Sequence, residues 1–296
     1  MMINKLIIIV FLFFVFSCKN STDSSNNQLD SLIIQTKNEI IIPIITNRDS
    51  IIAKLKTKIE NKEPIVIHVF VALYGYDSIK IEGVSDWADG TNQNTNLYWG
   101  AGYGIKTYFK KYDNWKLISE QNNISKSILE RIVFTKTFSN GAEVYLIADA
   151  YIGYEMQTCL KDYFGAISEK NIDSVKIDNK NLPANGNADL IVFNGHNGLM
   201  DYEIKPEIQK CSRLKETIVI ACNSAGFFKD HIEKCYCFPL ITTRGLIPAE
   251  AYVLGSIIEP WILLKNENEI RESLLTKYVK IQRCSKDQAD FLFTTN

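Results

Sequence analysis

Apolar residues in this chain fall into short dense runs separated by longer mixed segments. Residues 65–73, 143–149, 190–193, 218–221 and 240–243 are rich in Ile, Val, Leu, Phe and Ala. Runs this short, with many β-branched side chains, predict strands rather than helices. The unbroken apolar character of 190–193 and 218–221 predicts burial on both faces, as in a parallel sheet covered by helices. Residues 132–137 and 143–149 flank Asn140-Gly141 and predict strand, turn, strand. The mixed segments carry helical spacing. In 49–61, Asp49 or Ser50 can cap, and Ile51, Ile52, Leu55 and Ile59 recur on one face. Further helices are predicted over 152–167, 224–234 and 270–281, and over 248–264, opened by Pro248 and interrupted at Pro260. Residues 32–45, Ile-rich and broken by Pro43, predict one or two edge strands. Residues 74–96 and 178–187 read as loops. Such alternation predicts a three-layer α/β/α sandwich, with about six mostly parallel strands in one central sheet.

Two of the predicted strands end in reactive side chains. Residues 190–193 lead into Asn194-Gly195-His196-Asn197-Gly198, and residues 218–221 lead into Cys222-Asn223-Ser224-Ala225-Gly226. In open α/β sheets, ligands bind beyond the carboxyl ends of the strands. A thiol becomes a strong nucleophile when a nearby imidazole takes its proton. Gly195 and Gly198 would let backbone approach a substrate closely. A helix after Cys222 would stabilise a thiolate, and its N–H groups could hold an oxyanion. The plainer alternatives are a Cys that packs as a small hydrophobe and a His that is a satisfied polar group. Asp149 also ends an apolar strand; it could orient a substrate or the imidazole, or cap the next helix. Arg244 follows 240–243 at the same rim and suits a carboxylate. His68 lies in mid-strand and reads as a buried structural imidazole. Residues 97–112 are aromatic-rich, with Trp99, Tyr103 and Lys106 on one helical face; they form core packing or a wall for stacking a ligand.

A strand running into His196 and a second ending in Ala221-Cys222 resemble the caspase–legumain–gingipain group of cysteine peptidases. The resemblance implies a caspase-like fold with His196 as general base and Cys222 as nucleophile. It also implies a peptide or protein substrate and no cofactor. Asn197 follows His196 where the group has glycine. Separately, His68-Val-Phe-Val-Ala-Leu73 with Asn96-Leu-Tyr-Trp-Gly-Ala-Gly-Tyr-Gly104 is similar to a set of uncharacterised bacterial proteins, which implies no activity.

Composition narrows the classes. The chain has 296 residues, 46% hydrophobic and 23% charged, which is ordinary for a globular protein. A formal net charge of −1 excludes the basic footprint of a nucleic-acid binder. Residues 1–17 read as a signal peptide with an apolar stretch at 6–16. Val15-Phe16-Ser17-Cys18 resembles a bacterial lipobox, which implies cleavage before Cys18 and acylation of its thiol. The protein would then be lipid-anchored at the bacterial cell envelope, on the outer membrane. An ordinary signal peptide or an uncleaved anchor is the rival reading. Residues 18–30 read as a tether, and 31–296 as a single α/β domain with an N-terminal extension. A disulfide from Cys211 to Cys235 or Cys237 is one possibility in an exported chain. Cys235-Tyr236-Cys237 lacks a second ligand pair, so no metal is expected there. Asp77, Glu82, Asp86 and Asp89 match no EF-hand spacing and read as solvated loop charges. The non-enzymatic alternative is an envelope lipoprotein that binds a ligand or partner through 74–112.

Overall fold

The computed structural model describes residues 48–75, 86–206, 211 and 213–295. The signal peptide, the tether with Cys18, the edge strands expected over 32–45, and the carboxylates Asp77 and Glu82 lie outside the described residues.

Helix α1 (Asp49–Glu60) leads into β1 (Ile65–Ala72), and α2 (Ile105–Lys111) precedes β2 (Lys116–Asn122), β3 (Ile128–Thr137) and β4 (Glu143–Tyr151). Next come α3 (Met156–Ile167), a hairpin of β5 (Ile172–Ile177) and β6 (Lys180–Asn185), and β7 (Leu190–Gly195). The remainder is β8 (Lys215–Ile220), α4 (Ser224–Lys234), β9 (Cys237–Thr243), α5 (Ala251–Ile262), α6 (Glu267–Gln282), α7 (Lys286–Leu292) and β10 (Phe293–Thr294). The central sheet has eight strands in the order β10-β9-β8-β7-β1-β4-β3-β2. Strands β4, β1, β7, β8 and β9 are mutually parallel, while β2, β3 and β10 pair antiparallel at the two sides.

The molecule is a three-layer α/β/α sandwich. Alternation along β1 divides its side chains between the layers. Ile65, Ile67, Val69 and Val71 pack with α1, α2, α5 and α6. Val66, Phe70 and Ala72 pack with α3, α4 and the β5–β6 hairpin. Every residue of β1, β7 and β8 is buried, which accounts for the apolar runs at 69–72, 190–193 and 218–220, although His68, Asn194, Lys215, Glu216 and Thr217 are buried with them.

The structure departs from the sequence expectation where tertiary contacts outweigh local pattern. Residues 178–187 are mostly strand β6, because Val175, Ile177, Leu182 and Ala184 bury one face of the hairpin on α3 and the sheet. Asp178, at φ 50°, makes its tight turn. Helix α5 starts at Ala251 rather than Pro248, because residues 244–250 cross the carboxyl end of the sheet before the helix begins. Trp99, Tyr103 and Lys106 do not share a helix, since α2 starts only at Ile105. Trp99 and Lys106 still converge, on the buried Glu130 carboxylate, at 2.7 and 2.6 Å.

Candidate functional site

Strand register brings the two reactive residues to one edge of the sheet. In the β7–β8 pair, Asn194 stands opposite Ile220. Two residues further along each chain are His196 and Cys222, so both leave the same edge side by side. The place is also distinctive in topology. From β1 the chain passes to β4 on one side and later to β7 on the other, which makes the β1–β7 junction a switch point where a crevice opens. Gly195 sits in that junction at φ 142°, and a Cβ there would lie 2.2 Å from the Ala72 carbonyl oxygen. A Cβ on Gly198 would lie 2.3 Å from Met156 Cγ. Both glycines therefore answer to close approach within the protein, not to room for a substrate.

His196 is held from two sides. Its Nε2 lies 2.7 Å from Asp201 Oδ2, and its ring meets that of Tyr74 edge-on at 5.9 Å. Tyr74 in turn stacks on the half-exposed Trp87 at 6.1 Å and meets Tyr98 at 6.2 Å. Burial lowers the His196 pKa below the ordinary 6.5, and the Asp201 carboxylate offsets part of that fall. The imidazole is thus largely neutral at neutral pH, as a base must be. Asp201 was not foreseen from sequence. Its proximity depends on the single 3₁₀ turn Gly198–Met200, which folds the chain back on itself.

Cys222 is half-buried, and its thiol donates to the Ile247 carbonyl at 3.5 Å. Asn197 is fully buried; its Nδ2 donates to the Cys222 carbonyl at 2.6 Å and its Oδ1 accepts from the Leu199 N–H. The side chain that departs from the group pattern thus clamps the His196 connection to the Cys222 connection. The backbone donors expected to hold an oxyanion are largely committed elsewhere. Asn223, in the left-handed region, donates to the Gly245 carbonyl at 2.8 Å, and the Ser224 N–H donates to Thr243 Oγ1 at 3.1 Å. The His196 N–H donates to Ala72 at 3.3 Å. Tyr98 is a further neighbour of the thiol: burial raises its phenol pKa first, with Cys222, Tyr74 and Glu250 adding to the rise.

The other expected site residues lie apart from this pair. Asp149 neither caps a helix nor reaches the rim. It is buried on β4, accepts from Arg131 Nε and Nη2 at 2.6 and 2.7 Å, and meets His68 Nε2 at 3.1 Å. His68 Nδ1 accepts from the Asn185 N–H at 2.8 Å, which puts the ring proton on Nε2 and makes Asp149 its acceptor. Arg244 is exposed at the end of β9 and turns away to Thr294 on β10, at 3.1 Å. Cys211, Cys235 and Cys237 are free thiols, although the Cys211 N–H donates to the Cys235 carbonyl. Burial pushes the Cys211 thiol up to about 12 and raises Cys159, Cys235 and Cys237 as well. Asp89 Oδ1 accepts from the Thr91 N–H and hydroxyl, a local turn contact. Among the described residues, no group of three or more His, Cys, Asp or Glu is gathered as metal ligands.

Comparison with family models, curated proteins and solved structures gives no match for this chain, which leaves the geometry of the site as the ground for any functional reading.

Proposed function

We propose that the protein is a lipid-anchored cysteine peptidase of the bacterial envelope, with Cys222 as nucleophile, His196 as base and Asp201 as the group that orients it. The observation that supports this reading is the register of β7 against β8, which ends both strands at the same edge of the sheet, next to the β1–β7 switch point. With Nε2–H donated to Asp201, Nδ1 is the basic nitrogen. It takes the thiol proton once Sγ turns from the Ile247 carbonyl. The thiolate attacks a peptide carbonyl carbon, the C–N bond breaks, and the departing amine takes the proton from the imidazolium. Water then hydrolyses the thioester, releasing the acid and restoring the thiol.

The test is alkylation of the full-length protein with a peptidyl electrophile, followed by mapping of the modified thiol. Cys222 should react faster than Cys159, Cys211, Cys235 and Cys237, which burial keeps protonated. His196→Ala should slow the reaction at Cys222 roughly a hundredfold, the lower end of what a positioned base contributes. Cys222→Ala should abolish peptide hydrolysis. Equal reactivity at all thiols, unaffected by His196→Ala, would reject the dyad.

A second reading has its own support. Trp87, Tyr74 and Tyr98 form an aromatic run beside His196, with Trp87 49% exposed, and the N–H groups of Asn223 and Ser224 are occupied. A non-enzymatic binding protein would use that wall to stack a ligand. It would show no hydrolysis dependent on Cys222.

A further inference from the structure

The two faces of the sheet differ at its carboxyl edge. Ile218 and Ile220 of β8 pack in the layer of α1, α2, α5 and α6. Cys222, two residues on, keeps that side: its thiol turns to the carbonyl of Ile247, a member of the same apolar cluster. Asn194 of β7 turns the same way, its Nδ2 donating to the Ala249 carbonyl at 2.9 Å. The His196 ring meets Tyr74, and Tyr74 meets Tyr98, which is buried in that layer. Cys222 therefore faces the layer that holds Tyr98.

Tyr98 lies in the Asn96–Gly104 motif, which the dyad itself does not use. Its backbone is fixed on both sides. The N–H donates to Asn96 Oδ1 at 3.1 Å, and the carbonyl accepts from the Ile105 N–H at 3.0 Å. Asn96, fully buried, also donates through Nδ2 to the Tyr74 and Asp89 carbonyls at 2.8 and 3.0 Å. One amide side chain thus ties the Tyr98 backbone to that of Tyr74. The Tyr98 side chain is only 6% exposed, yet its hydroxyl makes no hydrogen bond to another described residue. A phenol buried this far ordinarily finds a partner. Burial first, then the charges that Cys222, Tyr74 and Glu250 can carry, raise its pKa. The phenol is therefore a neutral O–H donor, close enough to Cys222 to feel charge developing there.

The backbone N–H groups of His196, Asn223 and Ser224 are already occupied. We propose that the Tyr98 hydroxyl donates to the carbonyl oxygen of the substrate and holds the negative charge that gathers there when Cys222 attacks. The proposal rests on the peptidase reading above. As the S–C bond forms, the carbonyl π pair moves onto oxygen, which accepts from the Tyr98 O–H. As that pair returns, the C–N bond breaks and the amine leaves with the imidazolium proton. The phenol keeps its own proton throughout. Because Asn96 fixes the segment beforehand, the donor needs little reorganisation at the moment of reaction.

The experiment compares the full-length protein with Tyr98→Phe, which removes a hydroxyl without a protein partner and keeps the ring. A mixed-sequence peptide pool is digested, with Cys222→Ala as the blank, and the peptide cut fastest is taken for kinetics. Its kcat should fall about a hundredfold in Tyr98→Phe, with KM held within about threefold, as for loss of one oxyanion donor. Alkylation of Cys222 by iodoacetamide, a displacement that creates no oxyanion, should stay within about twofold. An unchanged kcat, a loss confined to KM, or an equal fall in alkylation overturns the role of Tyr98 while leaving the dyad intact. Absence of any Cys222-dependent hydrolysis overturns the peptidase reading and this role together.

Discussion

In the proposed arrangement the His196 ring proton sits on Nε2, where a carboxylate 2.7 Å away accepts it, and Nδ1 acts as the base. That makes Asp201 a positioning residue with a measurable signature. Neutral imidazole is the working form, so alkylation of Cys222 should climb as pH rises through the His196 pKa, below 6.5. The Asp201 carboxylate raises that pKa against the effect of burial. In Asp201→Asn the climb should therefore begin at still lower pH. The plateau should fall by about a hundredfold, because an amide no longer holds the tautomer. A pH–rate profile for Cys222 alkylation reads both effects, and an unmoved acid limb would remove Asp201 from the site. Asn197 shows how a residue can mislead in sequence. Read as a displaced glycine it weakens the pattern, but folded its amide donates across to the Cys222 carbonyl and accepts locally from the Leu199 N–H.

Among the elements, β1, β3, β4 and the β5–β6 hairpin are joined by one buried polar chain, from Arg131 through Asp149 and His68 to the Asn185 N–H. Burial alone would raise the Asp149 pKa, but the hydrogen bonds from Arg131 and His68 prevail and hold it below the ordinary carboxylate value. The folded pKa is the lower one, so this stabilisation is full above the unfolded value and is lost as pH falls through the folded one. Asp149→Ala leaves a mostly buried guanidinium without its counter-charge and should cost about 3–5 kcal/mol. Urea denaturation at neutral pH and at about pH 2.5, below the ordinary carboxylate value, should show that loss shrinking as the medium becomes acid. A loss below about 1 kcal/mol would mean that the pair only offsets its own desolvation.

For the molecule as a whole, the N-terminal sequence and the folded domain bear on separate questions. No helix among the described residues is long and apolar enough to cross a membrane. The proposed attachment rests on Cys18. Cys18→Ala should abolish incorporation of a labelled fatty acid and move the protein from the membrane to the soluble fraction, as fractionation would read. Unchanged retention would reject the lipid anchor.

The residues that form the sheet were legible because burial on both faces imprints an apolar run on β1, β7 and the second half of β8, while the buried polar start of β8, Lys215-Glu216-Thr217, fell outside the pattern. For the same reason His196 and Cys222 could be placed at strand ends. The β5–β6 hairpin was less legible, since only one of its faces is buried and Pro183 weakens the strand pattern. Asp201 and the occupied N–H groups of Asn223 and Ser224 were not legible at all. Each depends on how separate connections lie against one another, and strand order, register and turn geometry decide that. The sequence by itself determined that His196 and Cys222 follow buried strands at the carboxyl edge of the sheet, because burial imprints an apolar run on each strand locally, but it misplaced Asp149, which β4 keeps inside. Only the tertiary structure decided which side chains meet there, because the register of β7 against β8 and the path of 244–250 are set by packing between segments far apart in the chain.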